Sequence, residues 1–89
     1  MTTPLPSDWF LRSRLKMRHV LLLAAIDEQR SLHKAAAALH MTQPAATKLL
    51  ADLEALLELR LFERTARGLR PTAHGDSLVR HAKAMLGTL

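Results

Sequence analysis

Apolar residues recur along this chain at the three- and four-residue spacing of helices, broken once by a short alternating stretch. From about Ser13, Leu15, Met17, Val20, Leu21 and Ala24 give a broad apolar face that runs down at Asp27, Glu28, Gln29 and Arg30, which predicts a first helix. Ser31 suits an N-cap, and Leu32, Ala35, Ala36 and Leu39 form a narrow stripe on a second, alanine-rich helix of about two turns. Thr42 offers another cap. Behind it, Ala46, Leu49, Leu50, Leu53, Leu56 and Leu57 lay an apolar stripe over about four turns of a third helix. The period then changes. Arg60 to Arg64 and Leu69 to Pro71 read as a two-stranded hairpin with Gly68 in its turn, and so small a sheet must lean on the helices. Thr72 caps a fourth helix, where Leu78, Ala82, Met85 and Leu89 recur at intervals of four, three and four, with Val79 and Leu86 beside them. That spacing is a coiled-coil seam. Residues 1–12, with Pro4, Pro6 and the pair Trp9-Phe10, read as an N-terminal arm.

Composition narrows the classes of function. A chain of 89 residues suits one small domain, and with Trp9, Phe10 and Phe62 its only aromatics the core must be built from aliphatic side chains. Thirteen Lys and Arg against eight Asp and Glu give a formal charge of +5, and the sequence pI near 10.8 points to a polyanion, either nucleic acid or an anionic membrane. The absence of cysteine excludes disulfides, thiolate nucleophiles and cysteine-based zinc sites. The longest apolar run, Val20 to Ile26, falls far short of the roughly 20 residues of a membrane span. The opening residues lack the basic and apolar regions of a leader peptide. The expectation is a soluble cytoplasmic protein with no membrane partner.

Helix, short helix, tight connection, long helix and small basic hairpin is the order of a winged helix-turn-helix: mainly α, with a three-helix core and a β-hairpin wing over residues 13–71, followed by a linker or dimerisation helix over 72–89. With Thr42 as cap, Gln43 and Pro44 fall in the first turn of the third helix, where backbone N–H groups lack intrahelical partners and proline is tolerated. If the leucine stripe faces inward, Gln43, Pro44, Thr47 and Lys48 project outward. Glutamine can pair with adenine edges, proline and threonine carbons can pack on thymine methyls, and threonine or lysine can reach phosphate. The acids Asp52, Glu54 and Glu58 come later, so the helix would approach a polyanion by its N-terminus, with Asp52 placed to orient Lys48. An amphipathic helix with a neutral polar face is the bland alternative. In the hairpin, Arg64, Arg67 and Arg70 face the single acid Glu63, a cationic tip or else a solvated charged turn. Arg12, Arg14, Lys16 and Arg18 crowd the start of the first helix, the unfavourable end for cations, which suggests phosphate as their use.

Taken in order, Ser31-Leu32-His33-Lys34-Ala35-Ala36, Leu39 to Lys48, Leu53-Glu54, Leu61-Phe62-Glu63-Arg64, Arg67-Gly68-Leu69 and Thr72-Ala73-His74-Gly75 resemble the DNA-binding domain of LysR-type transcriptional regulators. The likeness covers about residues 15–89. It implies a third helix in the major groove and a wing on the adjacent minor groove or backbone. Thr42, Gln43, Pro44, Thr47 and Lys48 become the main DNA contacts, Ser31, His33 and Lys34 phosphate contacts, and Arg64, Arg67 and Arg70 the wing contacts. It also implies a fourth helix that pairs two chains, with Leu78, Val79, Ala82, Met85, Leu86 and Leu89 at the interface. The partners implied are duplex operator DNA of approximate dyad symmetry and a second copy of the chain, with higher oligomers in a longer regulator. A small-molecule effector belongs to a C-terminal domain absent here, and no cofactor or metal is expected in this stretch. Arg30 and Glu58 stand where the family often has glycine, Leu49 where a polar residue is frequent, and the basic arm before Leu15 is longer than usual.

Two other classes compete. For an enzyme, His33 and His40, like His74 and His81, are seven apart, roughly 10 Å along a helix and too far to share a metal. No phosphate-binding loop or nucleophile elbow is present. A helical protein-interaction or dimerisation module with only nonspecific nucleic-acid affinity remains the alternative.

Overall fold

The structure, a computed structural model, describes residues 15–87. The arm at 1–12, Arg14 from the expected start of the first helix and the last seam residue Leu89 lie outside the described residues. Four helices and one hairpin follow in order: α1 Met17–Gln29, α2 Leu32–Ala38, α3 Gln43–Leu57, β1 Phe62–Thr65, β2 Gly68–Pro71 and α4 Ala73–Leu86.

Local chemistry sets the boundaries. The three hydroxyls read as caps all cap: Ser31 Oγ accepts from Lys34 N–H at 3.1 Å, Thr42 Oγ1 from Ala45 N–H at 3.2 Å, and Thr72 Oγ1 from Gly75 N–H at 3.0 Å. The first helix begins at Met17, later than the apolar pattern suggests. Lys16 is still extended, and its N–H donates to His19 Nδ1 at 3.0 Å, so a side chain reaching back from the first turn closes the helix end. Arg30, His40 and Glu58 take left-handed conformations with φ of 55°, 58° and 56° at the three helix exits, so the helices stop as they would at a glycine. Arg30 is held there by Asp27: its Nε donates to the Asp27 carbonyl at 2.8 Å and its Nη2 to Asp27 Oδ1 at 3.1 Å.

The core is aliphatic. Val20, Leu22, Leu23 and Ile26 of α1 meet Leu32, Ala35 and Ala36 of α2 and Ala46, Leu49, Leu50, Leu53 and Leu57 of α3, all buried. Small residues at 35 and 36 let α2 cross its neighbours closely. Met17 and Leu21, counted on the apolar face of α1 by spacing, are instead 58% and 39% exposed. Leu49 turns inward.

The fourth helix corrects the seam. Leu78, Val79 and Ala82 are buried in the chain's own core, and Leu86 packs against that core, because α4 lies along α1. These residues satisfy their apolar face within one chain, so α4 leaves Met85, 52% exposed, as its large apolar side chain open to a partner. A regular apolar spacing says that a face needs cover. It does not say which surface supplies it.

The wing is clamped where it joins the helices. Glu54 Oε2 accepts from Leu61 N–H at 2.7 Å and from Phe62 N–H at 3.3 Å, which ties α3 to the start of β1. Thr72 N–H donates to the Leu61 carbonyl at 2.9 Å, and its hydroxyl donates to the Arg60 carbonyl at 2.6 Å. Leu69 N–H donates to the Arg30 carbonyl at 3.0 Å, linking β2 to the end of α1. Gly68, at φ 117°, allows that approach, since a Cβ there would collide with the Arg30 carbonyl oxygen.

Candidate nucleic-acid interface

The first turns of α3 present an unbroken outward ridge. Gln43, Pro44, Thr47 and Lys48 are exposed and, with Ala51, line one shallow surface. Their phase follows from the buried stripe: Ala46, Leu49, Leu50 and Leu53 fix the inward side, so residues 44, 47, 48 and 51 share the outward one. Pro44 occupies the second helical position, where its missing N–H leaves no broken bond. Lys48 Nζ reaches Asp52 Oδ2 at 3.0 Å, a solvent-exposed pair that biases the lysine without immobilising it. The Thr42 and Ser31 oxygens are engaged as caps, which leaves each hydroxyl proton free to donate outward. His33 and Lys34 are exposed on the first turn of α2, beside Ser31.

The wing arginines do not share a face. In the hairpin Phe62 pairs with Pro71, Glu63 with Arg70, Arg64 with Leu69 and Thr65 with Gly68. Side chains alternate along a strand, so Arg64 sits on the same face as Phe62 and Leu69, turned to α3, while Arg70 sits on the other face, across from Glu63. Arg67 lies at the turn, which Thr65 Oγ1 braces by accepting from Arg67 N–H at 3.2 Å and donating to the Gly68 carbonyl at 3.0 Å. Arg64 lines a groove with Thr47, Leu50 and Ala51 of α3, and so does Arg60.

Sequence reasoning missed Arg60 and Ala51. Ala51 was visible as the residue four beyond Thr47, and Arg60 as the start of a run of arginines at roughly every third or fourth position. It read Glu54 as one of the later acids of the third helix and as part of the family likeness, but not as the residue that anchors the wing.

Among the described residues His19, in the first turn of α1, is the buried titratable group. It is 6% exposed, and burial, followed by the positive charges of Arg18 and Lys16, pushes its pKa below the ordinary histidine value, while Asp52 opposes the shift. The unfolded chain then binds the extra proton, so this contribution to stability is complete above about pH 6.5 and is lost as pH falls through the lowered folded value. Urea midpoints should therefore drop between pH 7.5 and 5 by more in the wild type than in His19→Gln, whose amide oxygen can still accept from Lys16. Parallel profiles for the two proteins would sink this assignment.

Among the described residues there is no group of three metal-ligating side chains and no helix long and apolar enough to cross a membrane. A short helix and a longer one joined through a tight turn, an acid-free exposed ridge at the start of the second and a basic hairpin beside it define a winged helix-turn-helix DNA-binding domain. The chain belongs to the lysR family: the family model described as bacterial regulatory helix-turn-helix protein, lysR family, matches residues 17–76. The HTH-type transcriptional regulator GbpR of Azospirillum brasilense is 54% identical over 84 residues, covering 94% of this chain and 25% of that protein. The crystal structure of the CbnR_DBD-DNA complex superposes with a TM-score of 0.75 at 33% identity, covering 82% of this chain and 84% of that one. The BenM_DBD/benA site 1 DNA complex gives a TM-score of 0.77 at 30% identity, covering 82% of both chains. This chain spans about a quarter of the length of the full regulators it matches.

Proposed function

We propose that this chain is the DNA-reading head of a longer transcriptional regulator, and that α3 inserts its N-terminal turns into the major groove of an operator. The observation that carries the reading is the exposed ridge of Gln43, Pro44, Thr47, Lys48 and Ala51, capped by Thr42 and free of acids over its first two turns. Gln43 reads a base edge, the carbons of Pro44, Thr47 and Ala51 meet thymine methyls, and Lys48 and Thr42 hold phosphate. Ser31, His33 and Lys34 contact the backbone from the start of α2. Arg64 and Arg67 reach the adjacent minor groove or backbone from the wing, and Arg70 adds charge from its other face. No step of this work is chemical catalysis; the relatives named above are regulators.

Residues 72–89 serve as the linker, and two chains pair through its distal end around the exposed Met85, because the proximal apolar positions are already covered. The pair binds an operator of approximate two-fold symmetry in the cytoplasm, and a small-molecule effector acts through a separate C-terminal domain of the regulator. Selection of bound duplexes from a random pool tests the reading. The expected product is two inverted half-sites whose centres lie about 10 base pairs, or a multiple of that, apart. Recovery of unrelated sequences with no enriched element would favour the nonspecific interaction module instead.

A further inference from the structure

The start of α1 carries Lys16 and Arg18, both exposed, at the helix end whose dipole disfavours cations. Among the described residues neither is held by a carboxylate: Asp27 is taken by Arg30 and Lys83, Asp52 by Lys48, and Asp76 by Arg80. Among the described residues these two charges therefore make no ion pair. Arg18 lines a concave surface with Met41, Ala45, Lys48, Leu49 and Asp52. On the opposite flank of α3, Thr47 and Ala51 line the groove that holds Arg60 and Arg64. The exposed ridge thus stands between two cationic flanks, one from the wing and one from α1.

Flanks on either side of a helix suit the geometry of duplex DNA. The major groove is about 12 Å wide, and a helix with its side chains is about 10–12 Å across, so groups on either side of an inserted helix meet the two phosphate rows that border the groove. We propose that Arg18, supported by Lys16, is a second backbone clamp that binds a phosphate on the strand opposite the one reached by Arg60 and Arg64. The proposal rests on α3 occupying the major groove. Asp52 lines the same surface, but its ion pair is with Lys48 at 3.0 Å and not with Arg18. The clamp reads no base, so it sets affinity and the seating of α3 and leaves sequence preference to the ridge.

The test measures binding of the 89-residue chain to a pool-selected duplex and to a scrambled duplex across a salt series. For Arg18→Gln, the slope of log affinity against log salt should shrink by about 0.9, the value of one phosphate contact. Both duplexes should weaken by the same factor, about 3- to 10-fold near 0.1 M salt, with the preference between them unchanged. Arg18→Lys should restore the slope. Arg80→Gln on α4, which removes equal charge elsewhere, should leave it unaltered. An unchanged slope in Arg18→Gln, or an equal loss in Arg80→Gln, overturns the clamp while leaving the α3 reading intact. A wild type that binds the two duplexes equally overturns the α3 reading and the clamp together.

Discussion

Replacing Gly75 with alanine should destabilise the domain by roughly 2–4 kcal/mol, although alanine is by far the better helix former. Gly75 lies buried in the first turn of α4, and a Cβ built on it would collide with the Leu61 carbonyl oxygen. That oxygen cannot swing away, because it accepts from Thr72 N–H at 2.9 Å and Leu61 itself is fully buried. The collision is therefore with fixed backbone, and α4 must shift as a body. A shift loosens Leu78, Val79 and Ala82, which form part of the core shared with α1. Small domains are stable by only about 5–15 kcal/mol, so the loss is a large share of the total. Urea denaturation at neutral pH gives the answer directly. A midpoint equal to the wild type, or raised as helix propensity alone predicts, would show that α4 does not approach Leu61 so closely.

The largest effect on recognition is expected from Gln43→Ala. Gln43 is exposed at the first position of α3, and its side chain makes no hydrogen bond among the described residues. Its removal should leave the fold unaltered, since the helix keeps its Thr42 cap. A well-placed pair to a base edge contributes about 1–3 kcal/mol of discrimination, so affinity for the selected duplex should fall roughly 10- to 100-fold while affinity for a scrambled duplex stays unchanged. Arg67→Ala should behave differently, weakening both duplexes alike, because a wing cation meets backbone. Competition titrations at one salt concentration separate these outcomes. Equal losses on both duplexes for Gln43→Ala would move base reading away from this residue.

Most of the elements were legible because their signals are local. A hydroxyl before an apolar run can accept a free N–H of the first turn wherever the helix lies, and Ser31, Thr42 and Thr72 do so. Pro44 reads as a first-turn residue for the same reason, and the phase of the leucines on α3 places Gln43, Thr47 and Lys48 outward without knowledge of their neighbours. The start of α1 was less legible. Its N-cap depends on His19 folding back to Lys16, a contact that has no sequence signature like a threonine. The helix exits at Arg30, His40 and Glu58 could be placed where each apolar stripe ends, but their left-handed backbone could not be read, since residues that rarely adopt positive φ stand where glycine would have announced the turn.

The sequence by itself determined the number and order of the elements, the hydroxyl caps of α2, α3 and α4, the aliphatic core, the basic balance and the outward ridge of α3. Tertiary structure alone decided what covers each apolar face and where each cation points. Leu78 and Ala82 show the difference: their spacing demands a partner surface, and the packing of α4 on α1 supplies it inside one chain. The wing register likewise sends Arg64 toward α3 and Arg70 away, and the placement of α1 beside α3 brings Arg18 to the second flank of the ridge. Periodicity records how side chains leave the axis of their own element. Which element lies opposite is set by contacts between residues far apart in the chain, and those leave no local pattern to read.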